Sequence, residues 1–152
     1  EVSYIEELSK KVAKNYPNVT PGYMNEIVFE DTSIFKAYYR GKDLYLECNG
    51  FEVQYDHPEN TGFDKITAND AIVVFINFHP IDMRIKTKKE LEDQYVEMRP
   101  FKKTIIEKFD KGVILNLKKE NNEIDITLHS GVDSVKVLFS FEDVLIGWNE
   151  EK

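Results

Sequence analysis

The chain of 152 residues holds one cysteine, Cys48, so no intrachain disulfide can form and the stapled framework of a small secreted domain is excluded. A reducing, cytoplasmic setting is the plain expectation. No apolar run approaches the roughly 20 residues that a bilayer-spanning helix needs, so no membrane partner is expected. The chain opens on Glu1, which leaves room for a segment ahead of it. Glycine is scarce at seven residues, and none of them builds a phosphate-cradling loop or a G-x-S-x-G elbow. H-E-x-x-H and C-x-x-C are also missing. These gaps remove the common signatures of nucleotide-binding, serine-hydrolase, zinc-protease and dithiol enzymes, and no cofactor or metal is expected.

Positive charge is in short supply too. Twenty Lys and Arg face 28 Asp and Glu, a net charge of -8. Nucleic acid is therefore not expected as a ligand, because duplex binding draws its affinity from cations displacing counterions at phosphates. The imbalance is uneven along the chain. Residues 26–70 carry ten acidic and four basic side chains, residues 119–152 eight and three, while residues 84–111 carry nine basic and six acidic. Brought together, the two acidic segments would form a field suited to a basic protein partner; kept apart, they serve solubility.

Ten Phe, eight Tyr and one Trp in a chain 41% hydrophobic give enough apolar mass for one core and a single domain over 1–152. The opening stretch spaces Tyr4, Ile5, Leu8, Val12 and Tyr16 at three and four, one face of a helix, with Ser3 and Glu6 as its capping box. Pro17 and the following Asn-Val-Thr-Pro-Gly stop it. From Asn25 to Asp56 the period drops to two, predicting strands in EIVFED, SIFKAYYRG, DLYLECNG and FEVQYD with hairpin turns at RGKD and CNG. DHPENTGFDKITAND has turn formers and no apolar period, which predicts a long loop of the kind that carries function.

AIVVFINF at 71–78 is apolar at successive positions, the pattern of a strand buried on both faces. TKKELEDQYVEM reads as a helix capped by Thr87 and Glu90 with a stripe of Leu91, Tyr95 and Met98, and Phe101 to Phe109 continues it beyond Pro100. Four more strands, GVILNLKK, EIDITLH, SVKVLFSF and DVLIGW, read as an antiparallel meander. The order predicts an α+β fold of mostly antiparallel sheet, with an N-terminal helix and a central helix or kinked helix pair.

Chemistry-bearing residues are few. His57 lies between Asp56 and Glu59, and His79 has Asp82 three residues on; either group suits a metal or an acid–base pair, and both also suit turn chemistry. Cys48 sits inside a strand, as buried structural thiols do. The Lys-rich 86–103 stretch interleaves basic, aromatic and acidic residues in the manner of a solvated helix face. Trp148 beside Glu150 fits an interface anchor or a core tryptophan closing the last strand.

In size, acidity and absence of catalytic motifs the whole chain resembles, in general character, the immunity proteins that bacteria keep beside their toxins. The resemblance implies a non-enzymatic protein, monomeric or weakly dimeric, that blocks a basic, nuclease-like toxin domain. The expected contact residues are Asp56, Glu59, Asp64 and Asp70, joined by Trp148 and Glu150. The alternative is a small-ligand or hydrolytic domain with its site near His57 and His79.

Overall fold

The computed structural model describes residues 3–87 and 95–149. Helix α1 spans Tyr4–Ala13, and Ser3 Oγ accepts the Glu6 N–H at 3.3 Å, satisfying one of the donors a helix start leaves open. The strands that follow are β1 Asn18–Pro21, β2 Ile27–Val28, β3 Ser33–Arg40, β4 Asp43–Asn49, β5 Phe51–Val53, β6 Ile66–Ala68, β7 Asp70–Ile76, β8 His79–Lys86 and β9 Val96–Met98. Helix α2 spans Lys102–Phe109, and β10 Val113–Glu120, β11 Glu123–Ser130, β12 Asp133–Ser140 and β13 Asp143–Asn149 complete the chain. The fold is α+β, with an N-terminal and a central helix on a large antiparallel sheet.

Ten strands pair in the order β1-β13-β7-β4-β3-β10-β11-β12-β8-β9, and β2-β5-β6 form a second, small sheet. The large sheet hinges at β3 and β10, which share one residue pair, Ser33 with Val113. On either side of this hinge the two halves fold over one another. The β7–β8 and β12–β13 connections cross between them and are tied by the Glu142 N–H to the Ile76 carbonyl at 2.8 Å. Inward side chains from both halves form one cluster, including Leu44, Leu46, Val73 and Phe75 from one and Met83, Ile126, Leu128 and Val137 from the other. Phe75 meets Phe139 edge to face at 5.0 Å across it. Helix α2 closes the hinge: Ile105 and Phe109 are fully buried, and Asp110 accepts the Ala37 N–H at 3.0 Å.

Strand β7 is buried on both faces, as its unbroken apolar run requires. Ala71, Val73 and Phe75 point into the main core, while Ile72, Val74 and Ile76 join Leu8, Val12, Tyr45 and Leu145 in a second cluster beneath α1. Helix and sheet touch closely at Gly147, where a Cβ would stand 3.0 Å from both Tyr16 Cβ and Val12 Cγ1.

Four local expectations are corrected by long-range pairing. Asn18–Pro21, predicted only to stop the first helix, adds an edge strand along β13. Gly50 does not turn a hairpin: with φ +100 it carries the chain from the large sheet into the small one, and its N–H binds the Ala68 carbonyl at 2.8 Å. Val96–Met98 is a strand on β8, not the end of a helix. The helical stripe at Tyr95 and Met98 loses there to a ladder with Met83 and Ile85, and Pro100 disfavours helix at the residue before it. The rest of that predicted helix, with Glu90 and Leu91, lies outside the described residues. The meander keeps three strands, because β13 leaves β12 to pair with β7.

Gly147→Ala is expected to push α1 off the sheet and cost about 1–3 kcal/mol, since two of the three nearest atoms belong to the helix and its C-terminal extension. A urea midpoint equal to that of the wild type would refute the close-approach argument.

Candidate functional site

The segment from Gln54 to Lys65 joins β5 to β6 and is built around two buried polar side chains. Asn60, 6% exposed, donates from Nδ2 to the carbonyls of Asp64 at 2.9 Å, Gln54 at 3.1 Å and Val53 at 3.3 Å. Its Oδ1 accepts the Gly62 N–H at 3.0 Å. A short amide reaching carbonyls on both arms of a loop replaces the ladder bonds that the loop lacks. The second group is His57, 1% exposed. Its Nδ1 accepts the Glu59 N–H at 3.1 Å, so the ring is neutral with its proton on Nε2. The ring stands edge-on to Trp148 at 6.3 Å and tilted against Tyr23 at 5.8 Å. Burial pushes its pKa down, against the opposing pull of Glu59, Glu26 and Asp56.

The loop thus has a fixed backbone and shows an unusual set of side chains to water. Phe63 is 100% exposed and Tyr55 67%, with Tyr23 exposed beside His57 at the loop's base. Asp56 and Asp64 are exposed and Glu59 is half-buried. A phenyl ring held in solvent contributes nothing to the core, whereas contact with a partner can bury it whole.

Of the residues expected to bind a partner, Asp56, Glu59 and Asp64 share this loop. Asp70 lies elsewhere: alternation along β7 puts it on the face of Ile72, Val74 and Ile76. There it accepts the Asn149 amide at 2.6 Å; burial first, then Asp70 and Glu47, push Tyr16 up to about 12. Trp148 is fully buried in the main core, so it offers no surface anchor; the small sheet and its loop cover the ring that a bare sheet end would have exposed. Glu150 lies outside the described residues. Among the described acids of the second segment, Asp143 and Glu142 line a cavity with Asp43 at the Ile76 end of β7, opposite the end where Trp148 meets Ala71 and away from the loop, and Asp133 is paired with Lys108 at 3.4 Å. Sequence reading missed Phe63, whose signal was a lone large aromatic in a polar segment with no periodicity to bury it.

His57 and His79 do not share a site. His57 packs on Trp148, opposite Ala71, while His79 pairs with Ser140 beyond the far end of β7, a strand whose seven residues span roughly 20 Å. Among the described residues no three His, Cys, Asp or Glu side chains are placed to hold a metal. Cys48 is buried, and burial together with Glu47 pushes its thiol up to about 12, which leaves no thiolate at neutral pH.

A cleft of about 560 Å³ runs between α1 and the sheet, lined by Tyr4, Tyr16, Tyr38, Arg40, Glu47 and others. Tyr38 stacks on Tyr45 at 5.2 Å, and Arg40 lies over both rings at 5.4 Å. A hydrogen bond from Tyr4 to buried Asp43, and burial at Tyr16 and Tyr38, hold these three hydroxyls up to about 12. They are donors at neutral pH and not bases.

Compared with protein-family models, curated proteins and solved structures, the chain matches none.

Two measurements test this construction. Asn60→Ala leaves two loop carbonyls and that of Val53 in β5 without this donor and is expected to lower stability by about 2 kcal/mol in urea unfolding; an unchanged midpoint would show the amide to be dispensable. Cys48 is expected to resist a water-soluble disulfide reagent in the folded protein at mildly alkaline pH and to react promptly once denatured, and rapid labelling of the native chain would contradict its burial.

Proposed function

We propose that this chain is a non-enzymatic binding domain that recognises a basic protein through the 54–65 loop. The partner most in keeping with its acidity and size is a bacterial toxin domain of nuclease type, neutralised in the cytoplasm by covering the surface that holds its nucleic acid. The observation that carries this reading is Phe63, fully exposed on a pinned loop and accompanied by Asp56, Glu59 and Asp64.

Each part of the loop has a distinct physical role in such a complex. The carboxylates attract the Lys and Arg side chains of the partner, raising the encounter rate and fixing orientation. Phe63 supplies the buried contact, since taking a phenylalanine side chain out of water contributes about 1.5–3 kcal/mol. The backbone is already ordered by Asn60 and His57, so association loses little conformational entropy there.

The test begins with the product of the neighbouring reading frame, or with the protein recovered on the tagged chain from its native host. Affinity is expected to fall as salt rises. The triple variant D56N/E59Q/D64N should weaken binding and flatten that dependence, while Phe63→Ala should weaken it roughly 30-fold or more, the mark of an anchor residue. Salt-independent affinity together with an unaffected Phe63→Ala variant would reject the loop as the contact surface.

A further inference from the structure

The loop's rigidity has a titratable dependence, and the following rests on reading it as the binding surface. We infer that His57 is an acid-sensitive latch: the neutral ring locks the 54–65 loop onto Trp148, and protonation releases the loop and dismantles the surface that carries Phe63.

The geometry requires an unprotonated Nδ1. That atom is the acceptor for the Glu59 N–H at 3.1 Å, and a proton there would set two donors against each other at hydrogen-bond distance. Turning the ring over does not relieve the conflict, because both nitrogens of the imidazolium are donors. Among the described residues the proton already on Nε2 has no acceptor either, and the atom is buried. The cation must therefore leave its pocket or remain there desolvated and opposed.

The surroundings divide in the same sense. Glu59 and Asp56 from the loop and Glu26 from the 3-10 turn Met24–Glu26 are the charges near the ring; Tyr23 contributes an aromatic face and a phenol, and β13 contributes the uncharged Trp148. The carboxylates favour the cation but burial outweighs them, since the net displacement is downward. Once released, the imidazolium keeps these three carboxylates as neighbours in water, so acid favours the open loop. The His57 backbone is part of the same unit: its N–H binds the Gln54 carbonyl at 3.1 Å and its carbonyl accepts the Asn60 N–H at 2.9 Å. Moving the ring out thus strains the turn that positions Asn60, which in turn holds Gly62 and Asp64 on either side of Phe63.

The sign follows from linkage. A histidine held below its ordinary value takes up a proton when the loop opens, so the closed form is fully favoured above about pH 6.5 and loses ground as pH falls below it. For a ring that titrates near 6.5 when open, the increase in opening between pH 7.5 and 5.0 has an upper limit of about 30-fold, reached only where the closed ring takes no proton in that range.

Amide hydrogen exchange on the isolated chain reads this without any partner. Protection of the Glu59, Asn60 and Gly62 amides, corrected for intrinsic rates, is expected to drop between pH 7.5 and 5.0, by at most about 30-fold, while Ile126 and Leu128 in β11 hold theirs. His57→Asn retains an acceptor near the Nδ1 position and cannot titrate; its loop should exchange faster overall but with no such pH dependence. Flat protection in the wild type overturns the latch and leaves the loop's binding role standing. An equal drop in His57→Asn, or a parallel loss at β11, also overturns it, assigning the acid response to the carboxylates or to global unfolding.

Discussion

Strand β7 must hide both of its faces, and most of the architecture answers that demand. Six successive apolar residues from Ala71 to Ile76 cannot sit on the surface of a one-sided sheet. The inner set is covered because the ten-stranded sheet folds over on itself at the β3–β10 hinge, bringing β8, β11 and β12 across the core. The outer set is covered because α1 lies down on it, close enough that Gly147 must lack a side chain. Helix, hinge and crossing connections are then consequences of a single two-sided strand.

The end of that strand also decides where the display loop rests. Where β7 begins, β13 ends, and Trp148 opposite Ala71 leaves an indole edge that the large sheet alone does not seal. The small β2-β5-β6 sheet and His57 complete the seal, with Tyr23 and Trp148 flanking the imidazole. A polar ring used as a core plug keeps its hydrogen bond to the loop backbone, which an apolar residue of similar size would not make. Packing and presentation are thereby coupled: the group that closes the core also fixes the segment that faces outward.

Two charge distributions coexist on this scaffold. Among the described residues of the 54–65 loop the one cation is Lys65, which pairs with Glu52 at 3.4 Å, whereas the groove beside α1 mixes Arg40 and Lys11 with Glu7 and Glu47 around four tyrosines. Only the first combines a single sign of charge with a free aromatic ring. A net charge of -8 thus describes the chain less well than its placement does, since acids such as Asp43 and Asp133 are used internally, in bonds to Tyr4 and Asn77 and to Lys108.

Much of the local structure was legible without coordinates, for reasons that lie within a few residues. The helix from Tyr4, the RGKD turn, the buried run at 71–76 and the alternation of Ile124, Ile126 and Leu128 each follow from spacing and turn chemistry. So did the buried state of Cys48 and the irregular segment after Asp56, although Ile66–Ala68 within the predicted loop pairs as strand β6. What sequence spacing does not encode is which distant strand completes a ladder. That decision turned Val96–Met98 into strand, sent β13 to β7, buried Trp148 and set His57 and His79 at opposite ends of the sheet. Periodicity reports how a segment meets its immediate surroundings, while the exposure of Phe63 and the burial of His57 depend on what the rest of the chain brings beside them.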